Sequence, residues 1–286
     1  MENIKIQWHP GFVAAIDMEL REDREILELE SEHNLNRKPL EIDLLVIKKE
    51  PDTEIHNEIG KLFKGHNIME YKSPADILNI NIFYKVTGYA CLYKSYESTE
   101  DRIKADDVTI SIVRETKPEK LFKYFKDNCM EVTMPYKGIY YIKGISPFPA
   151  QIIVTKELEQ DGHVWLKALT DKMEKPDMEK LIERSGEISS EHERELVESI
   201  LEVTLNANKS LIEEMMGDVK MGEMILKIVQ PLILEREKRA KTEGIEEGKI
   251  IGAIEVLRSF NSNDEIKKII MEKYHLTEND AEKYLQ

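Results

Sequence analysis

The chain has 286 residues, 41% hydrophobic and 34% charged, with a formal net charge of −15, a composition that suits a globular protein of one large or two small domains. The acid excess is −5 over residues 1–150 and −10 over residues 151–286, which argues against a non-specific nucleic-acid binder but leaves room for a nuclease with local cations and cation-binding acids. No apolar run of 18 residues occurs, and the start (Met1-Glu2-Asn3-Ile4-Lys5) lacks a basic stretch followed by an apolar core, so neither a membrane span nor a secretory signal is expected.

Residues 9–24 read as a helix, with Phe12, Val13, Ile16 and Leu20 at helical spacing and Pro10 near the start, where a missing amide donor is harmless. Glu25 to Glu32 alternates and reads as a half-buried strand. Turn residues follow from Asn34 to Pro39. Leu40–Lys48 and His66–Tyr71 are predicted strands, and Asp76–Tyr96 a helix with Ile77, Ile80, Phe83, Tyr84, Gly88 and Leu92 at helical intervals. Val108–Val113 is a short β-branched strand. The order helix, three strands, helix, strand is an α/β pattern. Pro118–Asp127 predicts a further helix, and Val132, Gly138–Lys143 and Gln151–Val154 further strands.

From about Pro176 the chain reads as helical almost throughout, including a long helix over 221–260 bent near Pro231. Two capping patterns, at Ser262-Asn263-Asp264-Glu265 and Thr277-Glu278-Asn279-Asp280, predict a closing pair of short helices. The expected organisation is an α/β domain over 1–155 and a mainly helical region over 156–286, with a small hairpin at 262–286. Gly244, Gly248 and Gly252 recur every four residues. Such a stripe suits close approach by another helix, including one from a second copy, or else a weak helix, since each Gly costs about 1 kcal/mol against Ala.

The chemistry lies between Lys38 and Lys72. Asp43 interrupts the apolar run Ile42 to Ile47. Glu70 and Lys72 stand two apart in Asn67-Ile68-Met69-Glu70-Tyr71-Lys72, so in a strand they share a face. An unpaired charge taken out of water costs several kcal/mol, so these groups must pair, hold a metal or line a cleft. Mg²⁺ takes oxygen ligands, usually one or two carboxylates plus waters. Asp43 and Glu70 on adjacent strands could share one ion, with the Tyr71 carbonyl as a further ligand. Lys72 would deprotonate or orient the attacking water and offset phosphate charge. An acid from the first helix could complete the site or anchor a second metal; Glu19 is the first choice and Asp17 the second. The same spacing also suits a plain ion pair on an exposed edge strand.

Leu40-Glu41-Ile42-Asp43 followed by Glu70-Tyr71-Lys72, after a helix bearing Glu19, resembles the PD-(D/E)XK nuclease superfamily. Within it the chain is most similar to the bacterial transposase-like, recombination-promoting nucleases. Asn67 to Pro74 and Phe83 to Ala90 look typical of that group, and the resemblance covers about residues 9–115. It lacks a Pro before Asp43. The resemblance implies a restriction-endonuclease-like core with a mixed sheet. It also implies a Mg²⁺- or Mn²⁺-dependent DNA endonuclease linked to mobile elements, with Asp43, Glu70 and Lys72 as catalytic and metal-binding positions and Glu19 assisting. An inactive member serving as an interaction module, or a nuclease acting on RNA, are the alternatives.

Other signals are weaker. Lys85 is a candidate phosphate contact on the helix carrying Tyr84, Tyr89, Tyr93 and Lys94; the rest of that helix reads as a packed aromatic face with solvated lysines. His66 is expected to be structural. No His-x-x-x-His pair supports a zinc hydrolase. The two cysteines, Cys91 and Cys129, are far apart without Cys-x-x-Cys, which fits a reducing cytoplasm rather than a disulfide framework.

Overall fold

A computed structural model describes residues 8–34, 41–50, 53–96, 102–216, 250, 254, 263–274, 281 and 283–284. The protein is α/β, with one seven-stranded mixed sheet in the order β1-β2-β3-β4-β7-β6-β5. The strands are β1 (Leu27–Asn34), β2 (Glu41–Lys48), β3 (His66–Lys72), β4 (Val108–Arg114), β5 (Glu131–Tyr136), β6 (Ile139–Lys143) and β7 (Ala150–Val154). The three centre strands β3, β4 and β7 run parallel, and antiparallel pairs flank them on both sides. Parallel strands need both faces covered. Accordingly β4, Val-Thr-Ile-Ser-Ile-Val-Arg, is buried along nearly its whole length.

Two sets of helices supply that cover. On one face, α2 (Ile80–Ser95) and α3 (Glu119–Asp127) bring Phe83, Val86, Leu121 and Phe125 onto Ile68, Ile110, Ile112 and Ile152. On the other, Phe12 of α1 (Trp8–Glu19) stacks on Tyr71, ring centroids 4.9 Å apart. Behind it α1 packs on α4 (Val164–Lys167) and α6 (Glu191–Ala207). Gly11 permits that approach: a Cβ there would stand 2.8 Å from Val203 Cγ2. The helices α5 (Lys175–Gly186) and α7 (Lys209–Met216) complete this part of the chain.

Some boundaries differ from the sequence expectation. The first helix stops at Glu19 and the chain winds into a 3₁₀ segment, Arg21–Ile26. There Asp23 is buried, with its carboxylate accepting from the His56 amide and ring. The second helix begins at Ile80 rather than Asp76. Asn79 caps it, accepting from the Asn81 and Ile82 amides, while Asp76 closes a turn on Ser73. The short α4 was not predicted. By compactness the chain divides into Met1–Ile225 and Leu226–Gln286. Residues 156–216 therefore belong with the sheet, whereas the expected boundary fell at 155. In the second unit, α8 (Asn263–Tyr274) contributes Ile266 and Ile270 to a small core with Ile250, Ile254 and Ala281. Pro231, the glycine stripe at 244–252 and both capping residues Ser262 and Thr277 lie outside the described residues. Among the described residues no helix is long and apolar enough to cross a membrane.

Asn67 in β3 ties the central strands together from the α1 face. Its amide donates to the Val46 and Lys64 carbonyls, and its oxygen accepts from the Lys64 amide and Thr109 Oγ1. Because the residue is fully buried, Asn67→Ala should cost about 3 kcal/mol, the sum of lost bonds and stranded partners. Urea unfolding should show a lower midpoint at unchanged slope.

Candidate active site

β2 and β3 pair antiparallel with Leu44 opposite Met69 and Leu45 opposite Ile68. The paired register ends there; just beyond it the Tyr71 amide donates to the Asp43 side chain. Ile68 belongs to the α2 side, so by alternation Glu70 and Lys72 lie there too, and Asp43 meets them at the end of the β2–β3 pairing, where its side chain accepts from the Tyr71 amide. They sit at the end of β3, where the apolar cover thins. The structure thus brings these three predicted residues together.

The contacts are specific. The Tyr71 amide donates to Asp43 Oδ2 at 2.8 Å, and Lys72 Nζ donates to Glu70 Oε1 at 2.5 Å. The side chains of Asp43, Glu70 and Lys72 are 17%, 5% and 15% exposed, so all three charges are held largely out of water. Burial first, and the Asp43 charge second, push the Glu70 carboxyl above its ordinary value, with Lys72 and Lys85 opposing. Lys85, on α2, lies over the Tyr89 ring at 5.3 Å. A hydrogen bond to Tyr89 chiefly raises its pKa, with Glu70 and Asp43 adding to the effect. The predicted phosphate contact therefore stands within electrostatic reach of the acids.

Glu19 does not join this group. It lies ten residues along α1 from His9, about 15 Å on the helix axis. Its buried carboxylate accepts from His163 Nδ1 at 3.0 Å, the Leu166 amide at 3.3 Å and Asn57 Nδ2 at 3.4 Å. These bonds clamp α1 to α4 and to the segment before β3. Asp17 is likewise engaged elsewhere, by Arg24 and by His192 at 3.5 Å. His66 bonds the Tyr93 hydroxyl at the opposite end of β3, a structural contact.

The group that α1 does bring is His9, unmarked by the sequence reading. Its Nε2 stands 3.5 Å from Asp43 Oδ1, and the ring meets Tyr71 edge-on. The Asp43 hydrogen bond chiefly raises its pKa, against the effect of burial. The signal was available: His9, Phe12 and Ile16 form one helical stripe, so His9 had to face the sheet.

Four buried side-chain polar atoms lack partners among the described residues. Three of them, Glu70 Oε2, Tyr71 Oη and Arg114 Nε, belong to the ends of β3 and β4. An unpartnered carboxylate oxygen beside a second carboxylate is what a hard cation requires. The Tyr71 amide faces β2, and the carbonyl of a strand residue opens to the same side as its amide, toward Asp43. Among the described residues no three His, Cys, Asp or Glu side chains are grouped to hold an ion. The oxygens near one another here are those of Asp43 and Glu70 and the Tyr71 carbonyl, the ligand type that Mg²⁺ takes together with several waters. Comparison with family models, curated proteins and solved structures gives no match.

The raised Glu70 pKa has a stability consequence. Between the ordinary value near 4.5 and its raised value, the folded chain binds more protons than the unfolded one. Stability therefore falls as pH rises through that window. Without divalent cations the thermal midpoint should decline there, and Glu70→Gln should flatten the decline and melt higher than the parent above it. Differential scanning calorimetry across pH checks both.

Proposed function

We propose that this chain is a divalent-metal-dependent nuclease that hydrolyses DNA phosphodiester bonds on a restriction-endonuclease-like core. The observation that supports it most is the unpartnered, buried Glu70 Oε2, on the same face as Lys72 and next to Tyr71, whose amide holds Asp43. Asp43, Glu70 and the Tyr71 carbonyl would hold Mg²⁺ or Mn²⁺. Such an ion, when bound, supplies Lewis-acid stabilisation of charge on the phosphate and the departing oxygen.

The remaining chemistry falls to the chain. Lys72, tethered by Glu70 Oε1, has further N–H donors to orient a water toward phosphorus and to offset charge on a non-bridging oxygen. Asp43 is held by the Tyr71 amide, so its second oxygen keeps a fixed direction. Lys85 draws the polyanion toward the acids. The resemblance of the Asp43 and Glu70-Tyr71-Lys72 segments to the transposase-like nucleases supports a role in recombination or mobile-element chemistry. One observation favours a second reading, a catalytically silent scaffold: Lys72 and Glu70 neutralise each other without a cation.

Purified protein should nick supercoiled plasmid with Mg²⁺ or Mn²⁺ and stop with EDTA. Asp43→Asn and Lys72→Ala should each slow cleavage by about 10²-fold or more. Equal rates for the parent and Lys72→Ala would exclude the mechanism. The silent reading expects no calorimetric Mg²⁺ binding that is lost on changing Asp43 and Glu70. RNA of matched sequence, offered in parallel, tests the sugar preference.

A further inference from the structure

Arg114 closes β4 and pairs in register with Lys72 at the end of β3. Parallel neighbours in register stand about 4.8 Å apart and project to one face. Lys72 and Arg114 therefore form a side-by-side pair of cations where the two parallel strands end. Lys72 is neutralised by Glu70; Arg114 is not neutralised by contact. Among the described residues it makes no ion pair: Nη2 donates to Thr116 Oγ1 at 3.2 Å, and the buried Nε finds no acceptor. Its sequence neighbour Glu115 is buried and engaged by Thr170 Oγ1. Burial opposes the guanidinium charge, and Glu115 and Asp76 only partly offset this.

A half-buried, under-bonded guanidinium is a poor stabilising element, and such groups call for a partner that the isolated chain lacks. Its planar donors match a phosphate or carboxylate. The acids that bear on its charge are Glu115 and Asp76, and the basic character lies further along the chain. In a chain of net −15, residues 114–126 hold five cations, Arg114, Lys117, Lys120, Lys123 and Lys126, against Glu115 and Glu119. Lys120 and Lys126 are exposed.

We propose that Arg114 binds a backbone phosphate of the nucleic acid beside the Asp43–Glu70–Lys72 cluster, with the basic segment through α3 drawing the strand toward it. The assignment rests on the nuclease reading for its ligand class, and it adds a residue and a direction of approach.

The experiment uses the full chain in EDTA, so that no strand is cut, with a fluorescein-labelled DNA duplex, its single strand and the matching RNA. Arg114→Met preserves reach and removes charge. It should weaken binding about tenfold and shallow the dependence of log affinity on log salt by about one phosphate contact, while the melting temperature stays level or rises. Arg114→Lys should recover part of the affinity, and Arg184→Ala on α5 should leave it unchanged. If Arg114→Met binds like the parent, or only melts lower with binding intact, the proposal is overturned while the cleavage test of Lys72 stands. If the parent binds none of the three probes, this proposal and the nuclease reading fall together.

Discussion

The register between β2 and β3 is the constraint on which the site depends. Leu44 faces Met69 and Leu45 faces Ile68, which brings Asp43 to the Tyr71 amide. A slip of one residue would move Asp43 away from that amide and turn the buried side chains of the strand to the other face. Three things hold the register. Alternating burial is one, since β2 and β3 both pack on two faces. The bond from Asn67 to the Val46 carbonyl is the second. The third is Asp43 itself, whose Oδ2 accepts from the Tyr71 amide just beyond the paired residues. One carboxylate oxygen thus fixes the strand ends, and the other faces His9 Nε2 at 3.5 Å.

How much of this could be read from the sequence follows from distance along the chain. The strands holding Asp43 and Glu70-Tyr71-Lys72 are short apolar runs that declare themselves locally, and acid-x-lysine needs only period two to share a face. Antiparallel adjacency of β2 and β3 was less legible, since residues 49–65 separate them. Glu19 was different. Its helix was legible, but which end of a helix meets a given strand end depends on the crossing angle, set by side chains far away: Val203 against Gly11, and His163 and Leu166 on Glu19. His9, at the end that does meet the site, shares a helical stripe with Phe12 and Ile16, but the stripe does not say which strand end it meets. Arg114 was hidden by its place at the end of a strand, where a terminal cation ordinarily marks only the exit to solvent. The boundary expected at 155 failed because composition changes there while packing does not: α6 returns to cover α1.

The middle of the sheet and the ends of β3 and β4 treat polarity differently. On the α1 face, Asn67, Thr109, Ser111 and Gln151 form a buried polar seam. Thr109 bonds Asn67, and Gln151 donates to Ser111 and to the Ile59 carbonyl. Apart from Gln151 Oε1, its side-chain polar atoms are partnered, and this seam specifies how three strands and the segment before β3 meet. A seam of this kind is a structural device, since a satisfied network rigidifies a core.

At the ends of β3 and β4 the pattern reverses. Glu70 Oε2, Tyr71 Oη and Arg114 Nε are buried without partners. Burial raises both the Glu70 carboxyl and the Tyr71 phenol pKa. Each stranded atom costs about 1–3 kcal/mol, so three within three residues of two adjacent strand ends are a concentrated penalty. Apolar substitutes at Glu70 and Arg114 would remove much of it without disturbing the β3–β4 ladder, which is main-chain bonded. A sequence that keeps a carboxylate and a guanidinium here holds acceptor and donor capacity in reserve for something that arrives from outside. Under the proposed reading a cation would answer the carboxylates and a phosphate would answer Lys72 and Arg114, and a metal-assisted phosphodiester substrate would bring both together at these strand ends.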